Sequence, residues 1–304
     1  MVKSLQALGH EVNFQDTDAP IEIAFNQPIY DTFGHTPGQH KIIYTPWEST
    51  ELPPGWLEKF HEADEVWATS HLVKEWYEKA GVEKDIYVYQ HGIDKIWPEA
   101  RRRRNIKHPI RFLYVGSPAP RKGGQLVYDA FIENFGSDPD YQLTIKAYGM
   151  TEIRHKVNGR IVAPAGQFNS NITVITDEIE TEEMVKLFNV HDVLVYPSYG
   201  EGWGLIPFQG MAMGMPTICT GAWADYRDLI VPELNISSSM IDSPWPQMHP
   251  GKVFEPDYEG LKKSMLWVVD NYEAAAAKSF KNSYLLEKQY DWLELTEKAF
   301  KKFL

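Results

Sequence analysis

Short apolar runs alternate along the chain with longer stretches in which apolar residues recur three and four positions apart. The first pattern predicts buried strands, and the second predicts amphipathic helices. The predicted strands span residues 10–14, 21–25, 41–45, 65–69, 85–89, 111–115, 141–147, 172–176, 193–196 and 216–219. The predicted helices span residues 2–8, 55–61, 71–80, 125–135, 182–189, 205–213, 223–230, 258–270, 272–289 and 292–303. Because strands and helices alternate, the pattern favours parallel sheets whose faces are covered by helices.

The pattern breaks off and restarts once, near the arginine run Arg101–Arg104. A length of 304 residues also favours two domains. We therefore expect an α/β chain with a first domain at 1–100, a second domain at 101–288 and a C-terminal helix at 289–304. Residues 149–170 are polar and irregular, which predicts an insertion or flap, and residues 231–252 are rich in loops.

Charge and composition exclude several classes of protein. The net charge of −12 argues against non-specific binding to nucleic acid or to an anionic membrane. No apolar run approaches the roughly 20 residues of a membrane span. The single cysteine, Cys219, rules out a disulfide framework and favours a cytoplasmic chain. We interpret Arg101–Arg104 as a solvated interdomain linker rather than a nucleic-acid or lipid patch, and Asp16–Asp18 as a plain loop.

A glycine-rich loop forms the centre of the second domain. The loop carries glycines at 200, 202 and 204, follows the predicted strand 193–196 and leads into the predicted helix 205–213. Glycines let the backbone approach a ligand closely, and the start of a helix offers free N–H groups to an anion. One acid, Glu201, lies inside the loop. A tight turn with a solvated glutamate is the alternative interpretation.

A second loop, at residues 116–124, supplies two cations, Arg121 and Lys122. Both loops follow strands, and parallel α/β sheets bind ligands outside the carboxyl ends of their strands. Two cations and a helix dipole suit a diphosphate, with Glu201 next to it facing a sugar hydroxyl. Taken alone, the segment with Arg121 and Lys122 favours an ordinary solvated turn, and only together with the glycine-rich loop does it favour a phosphate site.

Four ordered segments resemble one enzyme family, the retaining nucleotide-sugar glycosyltransferases of the GT-B type, family 4 or group 1. The segments are 63–70, 91–94, 116–131 and 198–218. The resemblance implies two Rossmann-like parallel-sheet domains that face each other across a cleft. Family members begin with a strand and a glycine loop, whereas this chain begins inside the first helix, so we expect either a first domain shortened at its N-terminus or a start that lies upstream of residue 1.

The resemblance also implies roles for individual residues. Lys122, with Arg121, would hold the donor diphosphate, and Glu201 would bond hydroxyls of the transferred sugar. Residues expected to contact the donor through the phosphate loop or backbone N–H groups are Gly116, Ser117, Gly202, Trp203, Gly204 and Leu205. Trp292 and the last helix would return to pack on the first domain.

Three positions depart from the family pattern. Gln209 stands where the family has a second glutamate, and it would face the ribose without a charge. Ser117 stands where many members have an arginine. Trp47 and Glu48 follow the strand 41–45 in place of a histidine that touches the donor. Trp47 could stack on sugar or belong to the core, and Glu48 could bond donor or acceptor. His35 and His40 are interpreted as solvated loop residues, with a position lining the cleft as the alternative for either one.

Together these features predict a metal-independent glycosyltransferase that moves a hexose with retention from a UDP- or GDP-linked donor. The acceptor could be a glycan, lipid, protein or small molecule, and we expect no cofactor besides the donor substrate. One alternative is an epimerase or hydrolase of the same fold that acts on the nucleotide sugar alone. Another is a non-catalytic paralogue that binds nucleotide sugar, which Gln209 and a shortened first domain would favour.

Overall fold

The computed structural model describes residues 1–14, 19–25, 38–106, 108–148, 153–157, 160–164 and 169–303. The predicted loop at Asp16–Asp18 and the predicted loop histidine His35 lie outside the described residues.

A parallel sheet of four strands forms the first domain, in the order β1-β2-β3-β4. Its strands are β1 (Ile21–Ala24), β2 (His40–Thr45), β3 (Glu65–Ala68) and β4 (Asp85–Val88). Its helices are α1 (Val2–Ala7), α2 (Trp56–His61) and α3 (His71–Lys79). Ser70 caps α3 as a serine at this position should, because its hydroxyl accepts the Val73 N–H at 3.2 Å.

A second parallel sheet, of six strands, follows in the order β12-β11-β10-β5-β6-β9. Its strands are β5 (Ile110–Val115), β6 (Tyr141–Lys146), β9 (Ile172–Ile175), β10 (Val193–Tyr196), β11 (Thr217–Thr220) and β12 (Asn235–Ile236). Its helices are α5 (Gly124–Phe135), α6 (Thr181–Val190), α7 (Leu205–Ala212), α8 (Tyr258–Asp270) and α9 (Tyr272–Gln289). The two parallel sheets confirm the predicted α/β class. Because β5 and β10 are parallel neighbours, the two candidate loops open at the same edge of the sheet, as expected.

Two antiparallel hairpins and two further helices complete the fold. The hairpin strands are β7 (Arg154–Val157) with β8 (Arg160–Pro164), and β13 (Ser238–Asp242) with β14 (Lys252–Pro256). The short helix α4 (Ile96–Glu99) follows the first domain in the chain and packs against α6, α7 and α9 of the second. The last helix, α10 (Trp292–Phe300), packs on the first domain, where Phe300 joins a cluster with Leu5 and Trp67.

The arginine run is not a solvated linker, so that interpretation was wrong. Arg104 is only 4% exposed, and it donates to the carbonyl of Met213 at 2.8 Å and to that of Phe188 at 3.3 Å. Arg101 and Arg102 donate to further carbonyl groups near the ends of α7 and α6. Helices leave their last carbonyl groups without partners, and these guanidinium groups satisfy them. Burial, with the neighbouring Arg102 cation, lowers the pKa of Arg104 to about 10.

Several predicted elements were wrong in detail. Residues 10–14 have no ladder partner among the described residues and form no strand. Residues 149–170, predicted as irregular, contain the hairpin β7–β8, and 231–252 contains strands as well as loops. The predicted helix at 223–230 is reduced to a 3₁₀ turn at Arg227–Leu229, and Glu180 rather than Thr181 caps α6. None of the helices in the described ranges combines the length and apolarity that a membrane span requires.

Candidate functional site

The glycine-rich loop between β10 and α7 is held in place by its carbonyl groups. Three side chains donate to them: Trp223 Nε1 to Ser198 at 3.0 Å, Tyr226 Oη to Gly204 at 2.6 Å, and Thr69 Oγ1 to Gly202 at 2.7 Å. Thr69 belongs to the first domain, so both domains fix this loop. The Trp223 and Tyr226 side chains point toward the loop, and the segment predicted as a helix at 223–230 contains the 3₁₀ turn Arg227–Leu229.

Two positions in the loop require glycine. Gly204 has φ +82°, a conformation that side chains strain, and a Cβ atom there would overlap the Trp223 ring. A Cβ atom at Gly200 would overlap the Glu48 carbonyl oxygen, since the loop packs directly on the segment after β2. The loop therefore brings the carboxyl edges of the two sheets into contact.

Holding the loop by its carbonyl groups leaves its N–H groups available. The N–H groups of Gly202, Trp203, Gly204 and Leu205 have no hydrogen-bond acceptor among the described residues. They stand at the entrance of α7, where the helix dipole favours negative charge. This arrangement can bind an anion through backbone donors, which is the role predicted for these four residues.

Lys122 and Glu201 form a close, largely buried ion pair beside that entrance. The ammonium nitrogen of Lys122 lies 2.7 Å from Oε1 and 2.8 Å from Oε2 of Glu201. Oε1 also accepts from Tyr196 Oη at 2.8 Å and from Ser198 Oγ at 2.7 Å. Burial alone would raise the pKa of Glu201, but the cations of Lys122 and Arg121 outweigh it and hold that pKa below the ordinary 4.5. Glu201 is therefore a fixed anion at neutral pH rather than a solvated turn residue.

Arg121 connects the groups around this pair. Its Nη1 donates to the Gly200 carbonyl and lies 3.5 Å from Oε1 of Glu201, while its Nη2 donates to Oε1 of Glu48 at 3.2 Å. Its Nε donates to Nε2 of His249 at 3.1 Å. Arg121 is only 8% exposed, and its guanidinium N–H groups donate to protein acceptors. Among the described residues Lys122 bonds only Glu201, which leaves one of its three ammonium donors for a ligand.

The charges of this cluster balance. Two cations, Arg121 and Lys122, pair with two carboxylates, Glu201 and Glu48. Glu48 belongs to the first domain. Burial raises the pKa of Glu48, and Glu201 adds to that effect while Arg121 opposes it. The ion pair between Arg121 and Glu48 links the two domains across the site.

His249 is a member of the site that sequence reasoning did not identify. It lies in the loop between β13 and β14, within the stretch predicted only as loop-rich, and reaches the cluster from a distant part of the chain. No local pattern marks it. Tyr196 and Ser198 were also not assigned roles, although a tyrosine that ends a buried strand commonly needs a polar partner.

The remaining predicted residues lie near the site in different environments. Trp47 is 3% exposed, and the centre of its ring lies 4.5 Å from that of Trp56. Of the two interpretations of Trp47, stacking on sugar or packing in the core, the structure favours the core. The Gly116 N–H group donates to the Lys146 carbonyl at 3.0 Å, and Ser117 is exposed. Gln209 lies in α7, partly buried, and its side chain has no hydrogen-bond partner among the described residues.

Three further predicted residues, Trp203, Leu205 and His40, differ in their surroundings. The Trp203 ring is buried against His91, whereas Leu205 is 45% exposed. His40 contacts Glu65 at 2.9 Å, which is not the solvated position expected for it. Within the described ranges, no group of three or more His, Cys, Asp or Glu side chains could hold a metal ion.

Sequence comparison relates part of the chain, including Lys122 and Glu201, to a known family. Residues 109–240 match the family described as group 1 glycosyl transferases. D-inositol 3-phosphate glycosyltransferase from Corynebacterium efficiens is 26% identical over 142 residues, which are 44% of this chain and 32% of that protein. The chain thus spans about a third of the length of the curated relatives that it matches.

Structural comparison supports the fold. Sucrose-phosphate synthase from Thermosynechococcus elongatus superposes with a TM-score of 0.62 at 16% identity, covering 93% of this chain and 73% of that one. The pneumococcal O-GlcNAc transferase GtfA, solved with UDP and GlcNAc, gives 0.61 at 15% identity, covering 87% and 53%. Together with the two parallel sheets, these structural matches show a GT-B fold, and the match to the group 1 glycosyl transferase model lies within it at residues 109–240.

Proposed function

We propose that the protein is a glycosyltransferase that moves a hexose from a UDP- or GDP-linked donor to an acceptor, with retention of configuration and without a metal ion. The observation that carries the proposal is the position of Lys122 beside the available N–H groups of Gly202–Leu205. An ammonium group and a helix entrance form a diphosphate site, and GtfA, of the same fold, was solved with UDP.

The charge created by the reaction explains the arrangement. When the bond between the sugar and the phosphate breaks, the departing diphosphate gains negative charge and the sugar becomes cationic. Lys122 and the entrance of α7 would stabilise the diphosphate in the place where that charge develops. Oε2 of Glu201 accepts only from Lys122 among the described residues, so it has room for a sugar hydroxyl. The acceptor hydroxyl would attack the same face of the sugar and pass its proton to the leaving phosphate.

Arg121 has a different role in this proposal from the one expected from sequence. Because its donors reach Gly200, Glu201, Glu48 and His249, it organises the site while Lys122 contacts the ligand. The Lys122–Glu201 pair thereby sits on a rigid support made by both domains, as a preorganised site requires.

Donor turnover tests the proposal directly. The protein is incubated with UDP- and GDP-linked hexoses, with and without EDTA, and free nucleotide and sugar are followed by mass spectrometry. We expect slow release from one donor family, unchanged by EDTA and accelerated by a suitable acceptor. Rapid release that no acceptor alters would support a hydrolase. Binding of donor without any release would support the non-catalytic alternative, which Gln209 favours.

A further inference from the structure

The hydrogen bond from Arg121 fixes the tautomer of His249. Arg121 Nε can only donate, so His249 Nε2 accepts the bond at 3.1 Å and carries no proton. Burial, with the nearby cations of Arg121 and Lys122, lowers the pKa of His249 to about 4, so the ring is neutral at neutral pH. A neutral imidazole carries one proton, which must then be on Nδ1.

This Nδ1–H group is buried and has no hydrogen-bond partner among the described residues. The nearest carboxylate oxygen recorded for it, Oε2 of Glu48, is 3.8 Å away, which is too far for a hydrogen bond. Buried donors are almost always satisfied in folded proteins, so one left without an acceptor in a candidate site requires an explanation.

The position of His249 is built by contacts with both domains. The hairpin β13–β14 that carries it is tied to the first domain by Thr50, whose N–H donates to the Lys252 carbonyl at 3.1 Å. The Lys252 N–H in turn donates to Thr50 Oγ1 at 2.8 Å. On the second domain, the Trp245 ring meets the Tyr199 ring edge-on at 5.3 Å. His249 lies beyond residues 109–240, so the family match does not account for it.

We propose that the Nδ1–H group of His249 is a further anion-binding donor, which bonds a phosphate oxygen of the nucleotide sugar together with Lys122. This inference rests on the proposed function and adds a ligand contact from outside the matched domain. An anionic oxygen suits the position because an N–H group can only donate, and the cations of Arg121 and Lys122 lie close enough to the ring to offset the Glu48 carboxylate 3.8 Å from the same nitrogen.

Two substitutions separate this role from simple support of Arg121. His249→Asn places an amide nitrogen near the position of Nδ1 and keeps the donor, but it loses the acceptor of the Arg121 bond. His249→Gln places an amide oxygen near the position of Nε2 and keeps that acceptor, but it loses the donor. Isothermal titration with inorganic pyrophosphate and with UDP should show about tenfold weaker binding or more for the Gln variant. The Asn variant should stay within about threefold of the wild type. The exposed His61→Gln should bind like the wild type.

The outcomes are distinct. If the Gln variant binds normally and the Asn variant does not, His249 only positions Arg121, and the inference is overturned. Equal affinities for the two variants overturn it as well. If the wild type binds none of pyrophosphate, UDP and GDP, the proposed function and this inference both fail. NMR of the ¹⁵N-histidine-labelled wild type gives a second test that needs no variant, because pyrophosphate should shift the Nδ1 resonance of His249. An unchanged resonance at saturating pyrophosphate contradicts the inference.

Discussion

Glu201→Gln should lower the stability of the protein and at the same time tighten its binding of free pyrophosphate. The substitution preserves the shape of the side chain but removes a carboxylate that Lys122 meets at 2.7 and 2.8 Å. The Glu201 side chain is 8% exposed and that of Lys122 is 17% exposed, so little water is present to replace the pair. Removing one partner of such a buried pair costs about 3 kcal/mol.

The gain in anion affinity follows from the charge of the cluster. Arg121 and Lys122 balance Glu201 and Glu48, so the substitution changes the net charge of the cluster from zero to one positive charge. At about 6 Å and an effective dielectric constant of about 20, each unit charge on pyrophosphate gains about 3 kcal/mol, before screening by salt reduces it. We therefore expect at least about tenfold tighter binding at low salt.

Thermal unfolding and isothermal titration measure the two effects in the same preparation. Glu133→Gln is a matched control, because Glu133 pairs with Lys262 at 2.8 Å on the surface, where its side chain is 50% exposed. That control should change stability by less than about 1 kcal/mol and leave pyrophosphate binding unchanged. A Glu201→Gln variant that is as stable as the wild type, or that binds pyrophosphate no more tightly, would refute this description of the cluster.

Two further predictions concern the rest of the fold. Arg104→Ala should destabilise the protein by about 3 kcal/mol, because it leaves buried helix-end carbonyl groups without donors. The control Arg103→Ala removes an exposed side chain and should change the stability little. If thermal unfolding shows a difference of less than about 1 kcal/mol between the two variants, the capping role of Arg104 is contradicted. Burial lowers the pKa of His91 from 6.5 to about 4, so as the pH falls the unfolded chain binds a proton before the folded chain does. The stability associated with His91 is thus fully present above about pH 6.5 and is lost progressively toward about pH 4, by at most about 3 kcal/mol. In unfolding titrations His91→Asn should flatten this slope, and an unchanged slope would argue against the pKa shift.

Periodicity was sufficient to predict most of the fold. Apolar runs such as 193–196 and amphipathic stretches such as 258–270 produce strands and helices whose identity does not depend on distant contacts. Elements whose conformation depends on a tertiary partner were missed. The segment 223–230 is the clearest example, since its Trp223 and Tyr226 side chains donate to the glycine loop and its backbone contains a short 3₁₀ turn in place of the predicted helix.

The candidate site was predictable where its residues are close in sequence to a strand end. The loops that carry Lys122 and Glu201 could be placed on one sheet edge because parallel strands share a direction. Their direct ion pair, and the use of the Arg121 donors by protein groups, could not be read from the sequence because they depend on side-chain geometry. The sequence could not predict that His249 joins the site, because His249 lies 128 residues beyond Arg121 and reaches it through the tertiary fold.

The most direct test of the central claim is titration of UDP and GDP into the wild type, Lys122→Ala and the surface control Lys278→Ala. Lys122 supplies the ammonium beside the entrance of α7, whereas Lys278 makes only a distant pair with Glu233 at 3.7 Å. We predict that one nucleotide binds the wild type and the Lys278 variant equally, and that Lys122→Ala weakens its binding by about tenfold or more. Equal binding by all three proteins, or no binding of either nucleotide to the wild type, would contradict the claim that Lys122 and the glycine loop form a nucleotide-diphosphate site.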